Sequence, residues 1–453
     1  MPHLRSPFRG RPNLNATRIV ALSFGGVIAV GTLLLMLPVS SAGGASCGFL
    51  TALFTATSAT CVTGLALVDT LTGWTFFGQL VILVMIQLGG LGFMTVITIF
   101  SLALHRRINL SQRLIIMSSL NLNDMDGVVR LVGNALKVTF GTEGICAALL
   151  TLRFIPIYGF WGALWRGIFT SVSALCNAGF DLCGPVGGGS LMTFQSDPFV
   201  LGIVMFLITF GGLGFFVWMD VKRARCWKKL QLYSKLVLGM TAGLTLAGWL
   251  YFFVAEYANP DTLGPMNVGE KLLNSLFQSV TLRTAGFYAV PQGGLRDSSL
   301  AVSCLFMFIG GSSGSTAGGV KTVTAAVLLL ALRAGLSGSS EVTLRRRAIP
   351  THRVLNALTL VLVVLILFSF GSIAISLADN VPYLSAAFEA ASAIGTVGLT
   401  TGITAGLSPF SHVLIICLMY LGRVGILSFS IAFLTASRFP AKIQYPTVDI
   451  MVG

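Results

Sequence analysis

The feature that most constrains this chain is a succession of long apolar runs. They fall near residues 18–38, 75–104, 130–152, 198–219, 234–255, 298–333, 353–378 and 410–436. About 20 apolar residues is the length at which a helix crosses a bilayer, so eight such runs predict an all-α membrane protein with eight transmembrane helices. Composition agrees. The chain is 55% hydrophobic and 10% charged, with a mean hydropathy of +0.87, whereas soluble domains carry about 25% charged residues. The runs pair off. Within each pair lies a shorter stretch rich in Ser, Thr, Ala and Gly, too short and too polar to cross. Such a stretch is either an extracellular loop or a re-entrant segment.

Charge sets the orientation. Of the 29 Lys and Arg residues, 21 fall in the N-terminus, the loop 105–130, the stretches 222–235 and 333–353, and the C-terminus. That excess marks the cytoplasmic side and places both termini inside a plasma membrane. The net charge of +14 is thereby explained by topology and needs no nucleic acid. The basic N-terminus leads straight into the first apolar run, so no cleaved leader is expected. Nine of the 15 acidic residues fall in the outer segments. Asp69 and Asp181, just after two of the Gly-containing stretches, either raise the local cation concentration at an outer mouth or are ordinary solvated carboxylates. The eight cysteines show no metal spacing, and several lie inside apolar runs, which speaks against a disulfide framework.

An internal repeat carries the function. The four short stretches run from Phe54 to Leu65, Phe169 to Phe180, Leu276 to Phe287 and Phe388 to Leu399. In each, a bulky apolar residue stands ten positions before a Gly and another follows that Gly. The segments ending on the glycines are Val62, Thr63, Gly64; Asn177, Ala178, Gly179; Thr284, Ala285, Gly286; and Thr396, Val397, Gly398. A second signal follows in each quarter: Leu88-Gly-Gly-Leu-Gly-Phe93, Phe210-Gly-Gly-Leu-Gly-Phe215, Ile309-Gly-Gly-Ser-Ser-Gly314 and Leu421-Gly-Arg-Val-Gly425. The quarters are predicted as helix, re-entrant loop, helix over 18–104, 128–222, 231–334 and 351–437, with cytoplasmic ends 1–17 and 438–453. A dehydrated monovalent cation needs several weak oxygen ligands around an axis, and backbone carbonyls supply them without a trapping charge. They turn inward only in unusual backbone conformations, which Gly permits. The four triplets are therefore expected to form one selectivity filter.

These motifs, together with Gly310-Gly-Ser-Ser-Gly-Ser-Thr-Ala-Gly-Gly-Val-Lys-Thr322, resemble the Trk/Ktr/HKT superfamily of cation transporters over nearly the whole chain. Eight spans without an extra N-terminal helix pair, and an end shortly after Tyr445-Pro446, are closer to the KtrB type. The resemblance implies potassium uptake, a homodimer in which each protomer has its own pore, and a cytoplasmic nucleotide-binding regulatory ring of the KtrA/TrkA type. In this family Gly at all four filter positions goes with potassium, and Ser in the first loop with sodium. Sodium or mixed transport by the same architecture is the alternative. Channel-like conduction and ion-coupled symport both stay open.

Two quarters depart from the repeat. The segment Gly310, Gly311, Ser312, Ser313, Gly314, Ser315, Thr316, Ala317, Gly318, Gly319 interrupts an apolar run too long for one crossing. It is expected to be a movable intramembrane gate below the filter, with a plain helix kink as the alternative. Arg423 stands where the other quarters carry Gly90, Gly212 and Gly311. It is either an electrostatic barrier to cations, its role in the family, or half of a structural salt bridge. Lys321 either tethers the gate or snorkels to the cytoplasm. Arg283 is expected to turn away from the filter and brace its loop. Lys137 and Glu143 lie within one span with partners unassigned. The basic stretches 222–235 and 333–353 are docking surfaces for a regulatory partner or topology signals beside anionic lipid. No Walker-type nucleotide site and no paired catalytic or zinc motif is present, so an enzyme is not expected.

Overall fold

Inside hydrocarbon a backbone must satisfy its own N–H and C=O groups, and this chain does so with helices. The structure, a computed structural model, describes residues 16–92, 128–184, 189–339, 341–345 and 347–425. The basic loop 105–130 except its last residues, the terminal tails, Arg346 and the far ends of the runs 75–104 and 410–436 lie outside the described residues.

The first quarter contains α1 (Ala16–Leu35), α2 (Phe49–Cys61) and α3 (Phe76–Leu91). The second contains α4 (Val128–Cys176), α5 (Pro198–Leu213) and α6 (Phe215–Ala224). The third contains α7 (Leu232–Glu256), α8 (Val268–Thr281), α9 (Asp297–Phe308) and α10 (Thr322–Leu336). A small antiparallel pair, β1 (Thr343–Leu344) and β2 (Arg347–Ala348), precedes α11 (Thr351–Asp379), α12 (Tyr383–Gly395) and α13 (Pro409–Val424).

Helix starts follow from local chemistry. The Asp197 carboxylate accepts from the amides of Phe199 and Val200, with Pro198 preset for the first turn. Asn267 and Glu270 form a reciprocal capping box at α8. In α4, Gly159 takes a φ of +69° and divides 128–158 from a short helix 160–176, which therefore begins earlier than the stretch from Phe169 read in the sequence.

Among the described residues, the helix over 133–176, α7 and α11 are long and apolar enough to cross a membrane. The run 198–219, expected as one uninterrupted span, is instead bent by 96° between α5 and α6. The cause is visible in the hydrogen bonds. The carbonyls of Gly211, Gly212 and Leu213 accept from the 310–319 loop, from Thr316 N, Ser312 N and Ser312 Oγ in turn, and Phe215 N donates to Gly314 O. Gly214, at φ +78°, makes the corner. Positive φ values also stand at Gly92 (+79°), Gly314 (+74°) and Gly425 (+87°). The break expected only in the third quarter is thus present in the second as well.

Candidate functional site

Three of the four short helices end alike. At α2, 160–176 and α12, a non-Gly residue takes the left-handed conformation just beyond the helix: Val62 (φ +58°), Asn177 (+59°) and Thr396 (+51°). The next amide then reaches back five residues, from Thr63 to Ser58 O, Ala178 to Ser173 O and Val397 to Ser392 O, each at 2.8 Å. This is a Schellman closure. In the third quarter the register slips by one. Leu282 stays helical, Thr284 takes φ +65°, and Phe277 is the fully buried aromatic where the sequence pattern pointed to Leu276.

Two residues after each left-handed residue comes a second positive φ: Gly64 (+101°), Gly179 (+70°), Gly286 (+79°) and Gly398 (+93°). These glycines close a ring. A Cβ on Gly64 would lie 2.5 Å from Ala178 O, one on Gly179 3.0 Å from Ala285 O, and one on Gly286 2.7 Å from Val397 O. One on Gly398 would strike Thr63 O, which returns to the first quarter. The four glycines and the residues just before them, Thr63, Ala178, Ala285 and Val397, therefore meet in one closed ring. Backbone conformations of this kind can turn carbonyl groups toward an axis, where they offer a monovalent cation weak ligands without a full charge.

The ring is held from outside. Phe54, Phe169, Phe277 and Phe388, inside the four short helices, are buried, as are Leu65, Phe180, Phe287 and Leu399 after the glycines. The first Gly of three repeated signals is explained by close approach. Cβ atoms on Gly89, Gly211 and Gly422 would strike the carbonyls of Thr60, Leu175 and Ile394, each four residues before a ring glycine. Ser58 Oγ and Ser392 Oγ accept from Gly64 N and Gly398 N at 3.0 Å. Glu389, fully buried, accepts from Thr401 N, Thr400 Oγ1 and Thr404 Oγ1 and fixes the fourth outer loop. Sequence reasoning did not single out these three residues. A Glu among small residues within a membrane stretch was the available signal for the last.

Residues 310–319 are non-helical and lie against the ring. Ile309 bridges Val320 at the loop's base, and Cβ atoms on Gly310 and Gly318 would meet Thr284 and Thr396. Thr316 Oγ1 donates to Leu175 O at 3.0 Å, and Tyr233 Oη to Ser313 O at 3.2 Å. Among the described residues Arg423 has no salt-bridge partner. Its guanidinium donates to Thr316 O and, at 2.6 Å, to Gly89 O, joining the loop to the first quarter. Lys321 Nζ donates to Ala317 O at 2.7 Å, the tether alternative. Arg283 turns away from the ring, toward Thr241 Oγ1 on α7. Glu143 pairs with Gln87 at 3.1 Å, while Lys137 is exposed.

At the other end of the ring Asp181 is half-buried beside Asp69, with Cys183 N donating to it at 3.0 Å. Burial lifts its carboxyl to about 6, against the partial opposition of the Cys183 and Ser190 hydrogen bonds, and Asp69 adds to the rise. Because the value is raised, the negative charge is present at pH 7 and is lost as pH falls through about 6. Between pH 7 and 5 the half-saturating cation concentration is therefore expected to rise a few-fold with little change in maximal rate. Asp181→Asn should hold the acidic value at both pH values in uptake assays.

The sequence that builds this ring matches a known family: TrkH, described as a cation transport protein, over residues 14–439. The chain belongs to that family. The Potassium/sodium uptake protein NtpJ of Enterococcus hirae is 40% identical over 98% of this chain and 99% of its own length. The Ktr system potassium uptake protein B of Bacillus subtilis is 39% identical over 96% of each chain. The crystal structure of the potassium transporter TrkH from Vibrio parahaemolyticus shares the fold, with a TM-score of 0.73 at 16% identity over 95% of this chain and 86% of that one.

Proposed function

We propose that this chain is the membrane subunit of a potassium uptake system, passing K⁺ along the axis of Gly64, Gly179, Gly286 and Gly398. The observation that carries the reading is the closed ring of four positive-φ glycines, one from each quarter. In this reading the chain crosses the plasma membrane eight times with both ends in the cytoplasm. The four short helices are re-entrant, and the quarters run over 18–104, 128–222, 231–334 and 351–437. The twelve triplet residues form the filter. The loop 310–319 with Lys321 and Arg423 forms the gate beneath it. Potassium is cargo and not a resident cofactor, and the chain transports without making or breaking bonds. Two chains form a dimer with one pore each, and a cytoplasmic nucleotide-binding ring of the KtrA/TrkA type controls them. That a relative is named as protein B of a Ktr system supports a partner subunit.

Sodium is the second reading, favoured by the 40% identity to a protein named for both ions. Vesicles holding the purified chain, with potassium and sodium gradients set separately, test both. Potassium or rubidium flux that excess sodium does not compete away supports the first reading. Equal flux of the two ions supports the second. Neither ion moving in the presence of the regulatory subunit would overturn the function.

A further inference from the structure

A groove of about 270 Å³ opens beside the start of α7, bordered by Trp227, Lys235, Leu236, Gly239, Met240 and Arg345. Its two ends differ in chemistry. At one end stand Lys235 and Arg345, the latter in the turn between β1 and β2, with Lys228, Lys229 and Arg347 exposed nearby. Among the described residues the one ion pair is Arg153–Asp197, so no described carboxylate pairs with these cations. Asp220, on α6, accepts from Gln231 N at 2.9 Å. Lys235 Nζ gives one proton to Lys228 O at 2.9 Å, which holds the ammonium at the groove and leaves two protons for a ligand. Trp227 is 54% exposed beside them, an amphipathic ring suited to the membrane–water boundary.

The other end leads up α7. Gly239 and Gly243 have open space where a side chain would stand, and Ala242, Leu246 and Leu250 are exposed on the same face. The result is a shallow apolar slot continuous with a basic pocket. We propose that this groove binds an anionic phospholipid, its phosphate between Lys235 and Arg345 and an acyl chain along Gly239 and Gly243. A free anion would not use the slot, and a soluble protein would not follow it into hydrocarbon. The position is consequential because Tyr233, two residues before Lys235, holds the Ser313 carbonyl of the 310–319 loop.

The test uses the full chain in nanodiscs and the part of its tryptophan fluorescence lost in Trp227→Phe. Brominated phosphatidylglycerol should quench that part at a lower lipid fraction than brominated phosphatidylcholine. Each surface cation contributes about fivefold, so Lys235→Ala with Arg345→Ala should weaken the preference about 25-fold, while Lys235→Arg with Arg345→Lys keeps it. Gly243→Leu, which fills the slot and leaves the charges, should weaken both lipids and covers the case of a double variant that does not fold. Equal quenching by the two lipids in the unaltered chain would overturn the proposal. So would release of the lipid by millimolar inorganic phosphate. A cytoplasmic protein whose capture depends on these two cations while the lipid preference does not would overturn it in favour of protein docking.

Discussion

Deleting residues 312–317 is expected to raise potassium flux about tenfold to a hundredfold in vesicles without a regulatory partner. The reasoning starts from what holds the loop. Ser312 N, Thr316 N and Thr316 Oγ1 donate to carbonyls of the second quarter, Gly314 O accepts from Phe215 N, and Ser313 O accepts from Tyr233 Oη. Five bonds at about 0.5–1.5 kcal/mol net each total a few kcal/mol, and each 1.4 kcal/mol is about tenfold in rate. Part of that energy returns to water when the loop moves, hence the lower figure. Arg423→Ala should act in the same direction and less strongly. It removes the bond to Thr316 O and a positive charge. Such a charge about 8 Å from a cation costs about 2 kcal/mol at an effective dielectric near 20. The two variants differ in signature. Loss of a charge changes how steeply flux depends on voltage, whereas loss of an uncharged plug does not. Well-folded deletion protein with unchanged or lower flux would remove the gate from the mechanism.

The four ring glycines, all but one of their buried flanking residues and the departure at 310–319 were legible in the sequence, because Gly in register at a fixed distance from bulky apolar residues is a pattern that survives without coordinates. Three kinds of feature were not. The left-handed Val62 and Thr396 leave no trace in composition, since closure of the helix end, not propensity, puts a β-branched residue there, whereas Asn177 is of a type that tolerates this conformation. The bend at Gly214 was hidden because an apolar run reads as one span, and only the donors of a segment a hundred residues away show why it must break. The polar braces Ser58, Ser392 and Glu389 were hidden because Ser, Thr and Glu in a small-residue stretch look alike until their partners are in place. The one-residue slip at Phe277 has the same origin: Leu276 and Phe277 are both bulky, and helix register alone decides which one is buried. The asymmetry between quarters also changes. Among the described residues the second helix is broken in the second quarter at Gly214 and in the third over 310–319, and the fourth differs by the guanidinium of Arg423.

Gly64→Ala is expected to lower potassium uptake about a hundredfold while the protein still reaches the membrane. Two effects add. At φ +101° a Cβ is strained, and left-handed backbone costs an L-residue roughly 1–2 kcal/mol. The new methyl would also lie 2.5 Å from Ala178 O and 3.1 Å from Gly179 Cα. The backbone has little room to yield, because Gly64 N is held by Ser58 Oγ and Leu65 is fully buried. The neighbouring carbonyl must therefore turn or move outward, and either change spoils the ligand set for the ion. Together the two terms come to roughly 3 kcal/mol, about two decades in rate. A second glycine separates them. Gly402 takes a similar φ of +98° with nothing within 4 Å of a Cβ position. Gly402→Ala should carry the conformational cost alone, lowering thermal stability while uptake per folded molecule stays within about twofold. If the ring conducts, Gly64→Ala also shifts the ratio of potassium to sodium flux, since an altered ring no longer matches one ion's hydration, and Gly402→Ala leaves that ratio alone. Equal uptake and an unchanged ratio in both variants would mean that the ion does not pass the four glycines.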